Sequence, residues 1–237
     1  MKPRFGRIET LEITLSKTER ELLKAVYRMS QNGAEAHTSE VAEQLGLAPG
    51  TVTMGVKRLA DRDIVIHRPY IGVELTSKGR LLALSVIRRH RIVERFLADM
   101  LGYDWLDADR LAKCFEHQLP QEVEDRLFAA LSNPETCPHG FPIPEPDASE
   151  LGEPLRLTEL APGDAAVIAL PDDMDGEVVA FLDTLGVRPG VQIELREKHP
   201  FDGPVVVRVN GEDRTVGEKL AGRIHVVPGV RTEEVVL

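Results

Sequence analysis

Cysteine is scarce in this chain: only Cys114 and Cys137 occur in 237 residues. Two cysteines cannot make a disulfide framework, and a reduced cytoplasmic protein is the plain reading. Long apolar runs are absent too. No stretch approaches the roughly 20 apolar residues that a membrane helix needs. The N-terminus, MKPRFGRIETLEITL, has basic residues but neither a continuous apolar stretch nor a small-residue cleavage site, so it is not a secretory signal. There is no internal repeat and no low-complexity tract. No HExxH, nucleophile elbow or phosphate loop occurs, which leaves an enzymatic role without its usual residues.

Charge is unevenly placed. The net charge is −10, which taken alone argues against a nucleic-acid partner. Yet residues 1–100 hold 17 Lys+Arg against 12 Asp+Glu, and residues 101–237 hold 12 against 27. A basic first part and an acidic remainder fit a DNA-contacting module followed by parts with another task. Hydrophobic residues make up 42%, enough for real cores in one to three domains.

Local patterns fill in the first part. Ser16 to Glu19 has the form of a capping box, and Leu22, Leu23, Val26 and Tyr27 follow at helical spacing. Asn32-Gly33 is expected to end that helix. Val41, Ala42 and Leu45 mark a short second helix, and Gly46-Leu47 a tight turn. Pro49 suits the first turn of a third helix, whose buried stripe is Val52, Val56 and Leu59. Two strands are expected at Ile64–Ile66 and Val73–Leu75. Helix, turn, helix and β-hairpin in that order predict a winged helix-turn-helix. Its second helix would present Ala48, Pro49, Gly50, Thr51, Thr53, Met54 and Lys57 to a major groove. Arg58, Arg62, Arg68 and Lys78 are candidate phosphate contacts. Few of these side chains can make a bidentate base contact, so reading by DNA shape is expected.

A long helix is expected from about Ser77 to Met100, then helices near Asp107–Leu119 and Pro120–Leu131. Asn133 to Gly152, rich in proline and acidic residues, reads as a linker. From Leu155 onward, the runs VIAL, VQIEL, PVVVRVNG and IHVV predict a small β-barrel. A hairpin turn is expected at Val209-Asn210-Gly211-Glu212.

Ligand-type side chains recur within the predicted helices. His90 and Glu94 are four apart and share a helix face. Glu116 and His117 are neighbours, with Asp109 falling between them in projection. Imidazole plus carboxylate suits divalent Mn, Fe, Co or Zn. Each pair in isolation reads more readily as a solvated face or a surface ion pair than as a metal site. A metal enzyme, and a redox or organic-ligand sensor on the same winged-helix scaffold, stay open as alternatives.

The winged helix, RRHRIVERFL, FEHQLPQEVEDRL, CPHGFPIP at 137–144 and the C-terminal β-region together resemble the diphtheria-toxin-repressor family of iron- and manganese-dependent regulators, along nearly the whole chain. The resemblance implies an α+β protein with three parts: a winged helix, a helical metal-binding and dimerisation domain, and an SH3-like β-barrel. The corresponding boundaries are 1–76, 77–144 and 154–237, with a linker at 145–153. It implies a homodimer that binds double-stranded promoter DNA when loaded with Mn(II) and/or Fe(II), and no membrane partner. Its ancillary site would take His90, Glu94 and Asp109. Its primary site would take Glu21, Glu116 and His117. The segment PDDMDGEVV, expected as a loop, would offer Glu177, with Asp175 next and Asp172 and Asp173 in reserve. Where the family carries Cys or Glu three residues before the glutamate of EH, this chain has Lys113, an ammonium that would pair with Glu21 or Glu116. Cys114 points away from that face. Cys137 and His139 have the look of a zinc pair but are implied to belong to a structural loop. With no soft ligand in register, manganese is preferred over iron.

Overall fold

Ser16 opens the first helix as the sequence predicts. In the computed structural model its hydroxyl accepts from the Glu19 N–H, and the Glu19 carboxylate accepts from the Ser16 N–H. The structure describes residues 15–30, 35–116, 119–146, 148, 151, 154–171 and 174–228. Two compact units divide after Ala83, within the fourth helix, and each is described by itself.

The first unit holds α1 (Lys17–Met29), α2 (Thr38–Leu45), α3 (Pro49–Ala60), β1 (Val65–Arg68) and β2 (Gly72–Leu75). Helix α1 ends at Met29, with Ser30 capping back to Val26. The end is therefore earlier than expected, and Asn32-Gly33 lies outside the described residues. Gly46 caps α2 at φ 61, and Pro49 begins α3. Leu22, Leu23, Val41, Val52, Val56 and Leu59 are buried together. Each large side chain of this kind contributes about 1.5–3 kcal/mol on burial. The strands pair antiparallel from Val65↔Leu75 to Arg68↔Gly72, one or two residues beyond the expected span on their inner ends. Ile64 is fully buried but stands before the strand.

The second unit holds most of α4 (Ser77–Leu101), then α5 (Trp105–Phe115) and α6 (Gln121–Ala130). Val93, Leu97, Ala108 and Ala112 form a small core between α4 and α5. The segment expected as a linker is packed in its first half: Cys137, His139, Gly140, Ile143 and Pro144 are buried. Arginines of α4 clamp it. Arg88 donates to the Pro144 carbonyl at 2.5 Å and Arg91 to that of Pro142. Their guanidinium planes lie over Phe128 at 4.2 Å and Phe141 at 5.4 Å. Periodicity missed this segment because turns and side-chain bonds order it, not a helix or strand repeat.

The C-terminal part is a six-stranded antiparallel sheet in the order β3-β8-β4-β5-β6-β7. The strands are β3 (Leu155–Arg156), β4 (Ala165–Ala169), β5 (Gln192–Lys198), β6 (Val205–Val209), β7 (Glu212–Val216) and β8 (His225–Pro228). Asn210 and Gly211, at φ 50 and 82, turn the β6–β7 hairpin at the position expected. Strand β7, EDRTV, escaped the sequence reading because four of its five residues are polar. A further helix, α7 (Gly176–Thr184), lies where a loop was expected, and a short one, α8 (Glu218–Ala221), precedes β8. The core runs from Leu157 and Ile168 to Ile224 and Val226.

Candidate metal centre and DNA interface

The reading face of α3 follows from which side of the helix is buried. Val52, Val56 and Leu59 face inward, which leaves Ala48, Pro49, Gly50, Thr51, Thr53, Met54, Lys57 and Arg58 exposed. Thr53 turns its hydroxyl back to the Pro49 carbonyl at 2.9 Å, so its methyl is the outward group. Among the expected phosphate contacts, Arg58 and Arg62 lie 3.7 and 3.5 Å from the buried Glu19 carboxylate. Lys78 donates to the Arg62 carbonyl. Arg68 is held between Glu74 at 2.7 Å and Glu35 at 3.2 Å, so its charge is already engaged within the fold. Glu21, on α1, is half-buried and pairs with Lys24 one turn on, at 2.9 Å.

In the second unit, α4 carries His90 and Glu94 on its inward face. Both are buried, at 5% and 2% exposure. They are therefore not the solvated face that the surrounding arginines suggest. Asp109 on α5 and Glu116, which caps the end of α5, are buried with them. Imidazole His90 is the hub. Its Nδ1 lies 2.5 Å from Glu116 Oε2, and its Nε2 lies 3.1 Å from Asp109 Oδ1 and 3.3 Å from Glu94 Oε1. Burial works against charge on His90. The field of Glu94 and the bonds to Asp109 and Glu116 outweigh it and hold the imidazole pKa well above its usual value. Asp109, despite burial, is lowered to about 2 by His90 and Lys113.

Lys113, expected beside Glu21 or Glu116, has a partner on its own helix. It donates to Asp109 at 2.6 Å, one turn away on its own helix. Cys114 is exposed and stays outside the cluster. His117, Asp172 and Asp173 lie outside the described residues. Asp175 and Glu177 are exposed. The Asp175 carboxylate accepts from the Glu177 N–H as the N-cap of α7. Among the described residues, neither joins a group of three close ligand atoms.

The structure adds two residues that sequence reasoning had set aside. His139 Nδ1 lies 3.1 Å from Glu94 Oε1, and Glu94, Cys137 and His139 bring one ligand atom each within 4.8 Å of one another. His90, Glu94 and Asp109 form a second such trio, with Glu94 common to both. His139 packs edge-on to Trp105, its rings 4.9 Å apart. Although burial opposes it, contacts to Cys137 and Glu94 raise the His139 pKa to about 10. Glu94, against its own burial, is held well below the usual carboxylate range by His90 and His139. The signal was present as the Cys-x-His spacing in CPHG. What it lacked was Glu94, 43 residues upstream.

These donors fit a divalent ion. Tetrahedral coordination at about 2.0–2.1 Å places N and O ligand atoms roughly 3.3 Å apart. The 3.1 Å and 3.3 Å separations around Glu94 Oε1 match that edge. His139 Nε2 is buried without a hydrogen-bond partner. The Glu116–His90 contact has the form of a carboxylate that orients a metal-binding imidazole. Cys137 supplies the soft donor whose absence had favoured manganese, so that preference loses its ground for the Glu94–Cys137–His139 trio.

Known proteins resemble the chain along its length. Residues 14–73 match the family described as iron dependent repressor, N-terminal DNA binding domain. Residues 76–145 match iron dependent repressor, metal binding and dimerisation domain, and residues 155–228 match the FeoA domain. The chain is 31% identical over 219 residues to the iron-dependent repressor IdeR of Mycobacterium leprae, covering 86% of this chain and 94% of the relative. It is 29% identical over 221 residues to the diphtheria toxin repressor of Corynebacterium efficiens, covering 86% and 92%. A solved manganese-dependent transcriptional repressor in complex with manganese superimposes with a TM-score of 0.74 at 26% identity, over 89% of this chain and all of that one.

Proposed function

Because the chain belongs to the iron-dependent repressor family, to which the diphtheria toxin repressor also belongs, we propose that it is a metal-dependent, DNA-binding transcriptional repressor. It works as a homodimer on double-stranded promoter DNA, in the cytoplasm, with Mn(II) or Fe(II) as the signal, and has no catalytic role. Among the described residues, no helix is long and apolar enough to cross a membrane. The observation that carries the reading is the pair of buried trios sharing Glu94, on the same helix that leads out of the winged unit.

His90, Glu94, Asp109, Cys137 and His139 are the groups proposed to hold metal, with Glu116 orienting His90. His117 and Glu21 are retained as ligand candidates. Bound metal would supply positive charge among carboxylates that face one another across α4 and α5. Without it, His90 and Lys113 supply that charge by hydrogen bonds alone. Ligands from α4, α5 and the CPHG turn make such binding a tie between three segments. A segment tie of this kind shifts populations toward one geometry, by no more than the ion's differential affinity for the two states. Repression then follows when two copies of α3 match two half-sites about one helical turn, or a multiple, apart.

The test is capture of genomic fragments by metal-stripped protein, with and without Mn(II) at fixed salt, repeated with anaerobic Fe(II). Retention that requires metal is the expected result. Equal retention in all arms would overturn the metal dependence, and no retention in any arm would overturn the DNA reading.

A further inference from the structure

The buried histidines His90 and His139 are held in different ways. Glu116 lies 2.5 Å from His90 Nδ1, while Nε2 of the same ring faces Asp109 and Glu94. A carboxylate on one ring nitrogen fixes the plane in which the other meets an ion. For His139 no hydrogen bond fills that role. Its Nδ1 faces Glu94 Oε1 at 3.1 Å, and among the described residues its buried Nε2 has no hydrogen-bond partner. The torsion that turns an imidazole is broad, so the rotamer alone does not set the ring plane. Glu94 and Cys137 share its trio, but both would bond to the ion itself.

What stands against the imidazole instead is Trp105, the only tryptophan of the chain. The two rings are edge-on, with centroids 4.9 Å apart and planes at 87°. Trp105 is the first residue of α5. The Asp104 carboxylate caps that helix, accepting from the Asp107 N–H at 2.8 Å, and Trp105 packs against the core of the C-terminal sheet. Its place is therefore set from two sides. The backbone beside His139 is fastened too. The His139 carbonyl accepts from the Leu170 N–H at 3.0 Å, and a Cβ on Gly140 would stand 2.3 Å from the Ile168 carbonyl oxygen. One helical turn after Trp105 comes Asp109, which belongs to the other trio.

We propose that Trp105 is a positioning residue of the metal centre, its ring holding the His139 imidazole in the plane that turns Nδ1 toward Glu94. Helix α5 thereby serves both trios, with Asp109 as a ligand in one and Trp105 as the support of a ligand in the other. The proposal rests on the reading of Cys137 and His139 as metal ligands.

Its test is a double-mutant cycle on the full chain, with Co(II) as the probe. Affinity is read by competition with a chelating dye, and the thiolate-to-cobalt band identifies the Cys137 site. Trp105→Ala is expected to weaken Co(II) binding about fivefold, within the range that an edge-on aromatic pair supplies. Trp105→Phe keeps a ring at that position and is expected to bind within about twofold of the unsubstituted chain. In a His139→Ala background, Trp105→Ala is expected to cost nothing further, because a residue that acts through another has no effect once the other is gone. Should Trp105→Ala not fold, Trp105→Leu refills the apolar wall and takes its place in the cycle, with the same loss expected. Unchanged binding in Trp105→Ala would overturn the proposal. So would an equal loss with and without His139, which is what a merely structural tryptophan gives. Full affinity in Trp105→Leu would overturn it as well, since bulk and not the ring would then be at work. Absence of the thiolate band in the unsubstituted chain would instead remove the ligand reading itself, and this proposal with it.

Discussion

Replacing Lys113 with methionine should tighten metal binding, and the size of the gain follows from the geometry. The ammonium sits 2.6 Å from Asp109 Oδ2, while Asp109 Oδ1 faces His90 Nε2 at 3.1 Å. An ion held through Oδ1 and that imidazole would lie roughly 5 Å from the ammonium, given bonds of about 2.1 Å. A double and a single positive charge at that separation repel by about 3 kcal/mol at an effective dielectric of about 40, between the protein and water limits. The Lys113 side chain is 40% exposed, so it can swing outward and is screened by salt. Discounting by about half leaves roughly 1.5 kcal/mol, or about tenfold in affinity. Methionine keeps the length of the chain and removes the charge. Lys113→Glu should gain more, because it adds a carboxylate. The assay is competition for Mn(II) against a chelating dye at fixed pH and salt. The reasoning would be refuted by unchanged or weaker binding in a variant that melts normally. The ion would then not be near Asp109, and Asp109 would leave the ligand set.

Three other outcomes are expected. In cobalt-loaded protein, Cys137→Ser should abolish a thiolate-to-cobalt charge-transfer band in the near ultraviolet; a band that persists would exclude Cys137 as a ligand. Metal-free protein should lose stability as pH rises toward 10. The His139 pKa is raised from 6.5 to about 10, so its contribution is full below 6.5 and disappears as pH climbs through about 10. Urea midpoints measured from pH 6.5 to 10 would contradict this if they stayed level. Gly79→Ala should destabilise the first unit by about 3 kcal/mol, because a Cβ there would sit 1.9 Å from the Ile64 carbonyl oxygen. Thermal melting near that of the unsubstituted chain would show that the contact relaxes.

Much of the organisation was written locally. The capping box at Ser16, the proline opening α3 and the Asn210-Gly211 turn each depend on a few adjacent residues, and each stands where the pattern predicts. The winged unit was legible because its helices and hairpin are short-range elements with their own start and stop residues. The i, i+4 spacing of His90 and Glu94 fixed a shared face, since helix geometry is periodic. Periodicity also placed the outward face of α3, by showing which side is apolar.

What lay beyond local pattern was decided by packing. Spacing could not say whether His90 faced solvent or core; burial against α5 settled it, bringing Glu116 and Asp109 to its two ring nitrogens. Lys113 reaches Asp109 because the two stand one turn apart on a single helix. Asp175 became the cap of a helix where the sequence suggested a loop. Above all, Cys137 and His139 met Glu94 because Arg88 and Arg91 hold the CPHGFPIP segment against α4 through its carbonyls. One-dimensional spacing carries no trace of such a meeting. It depends on side chains reaching backbone groups more than 50 residues away, and only the folded chain brings those into range.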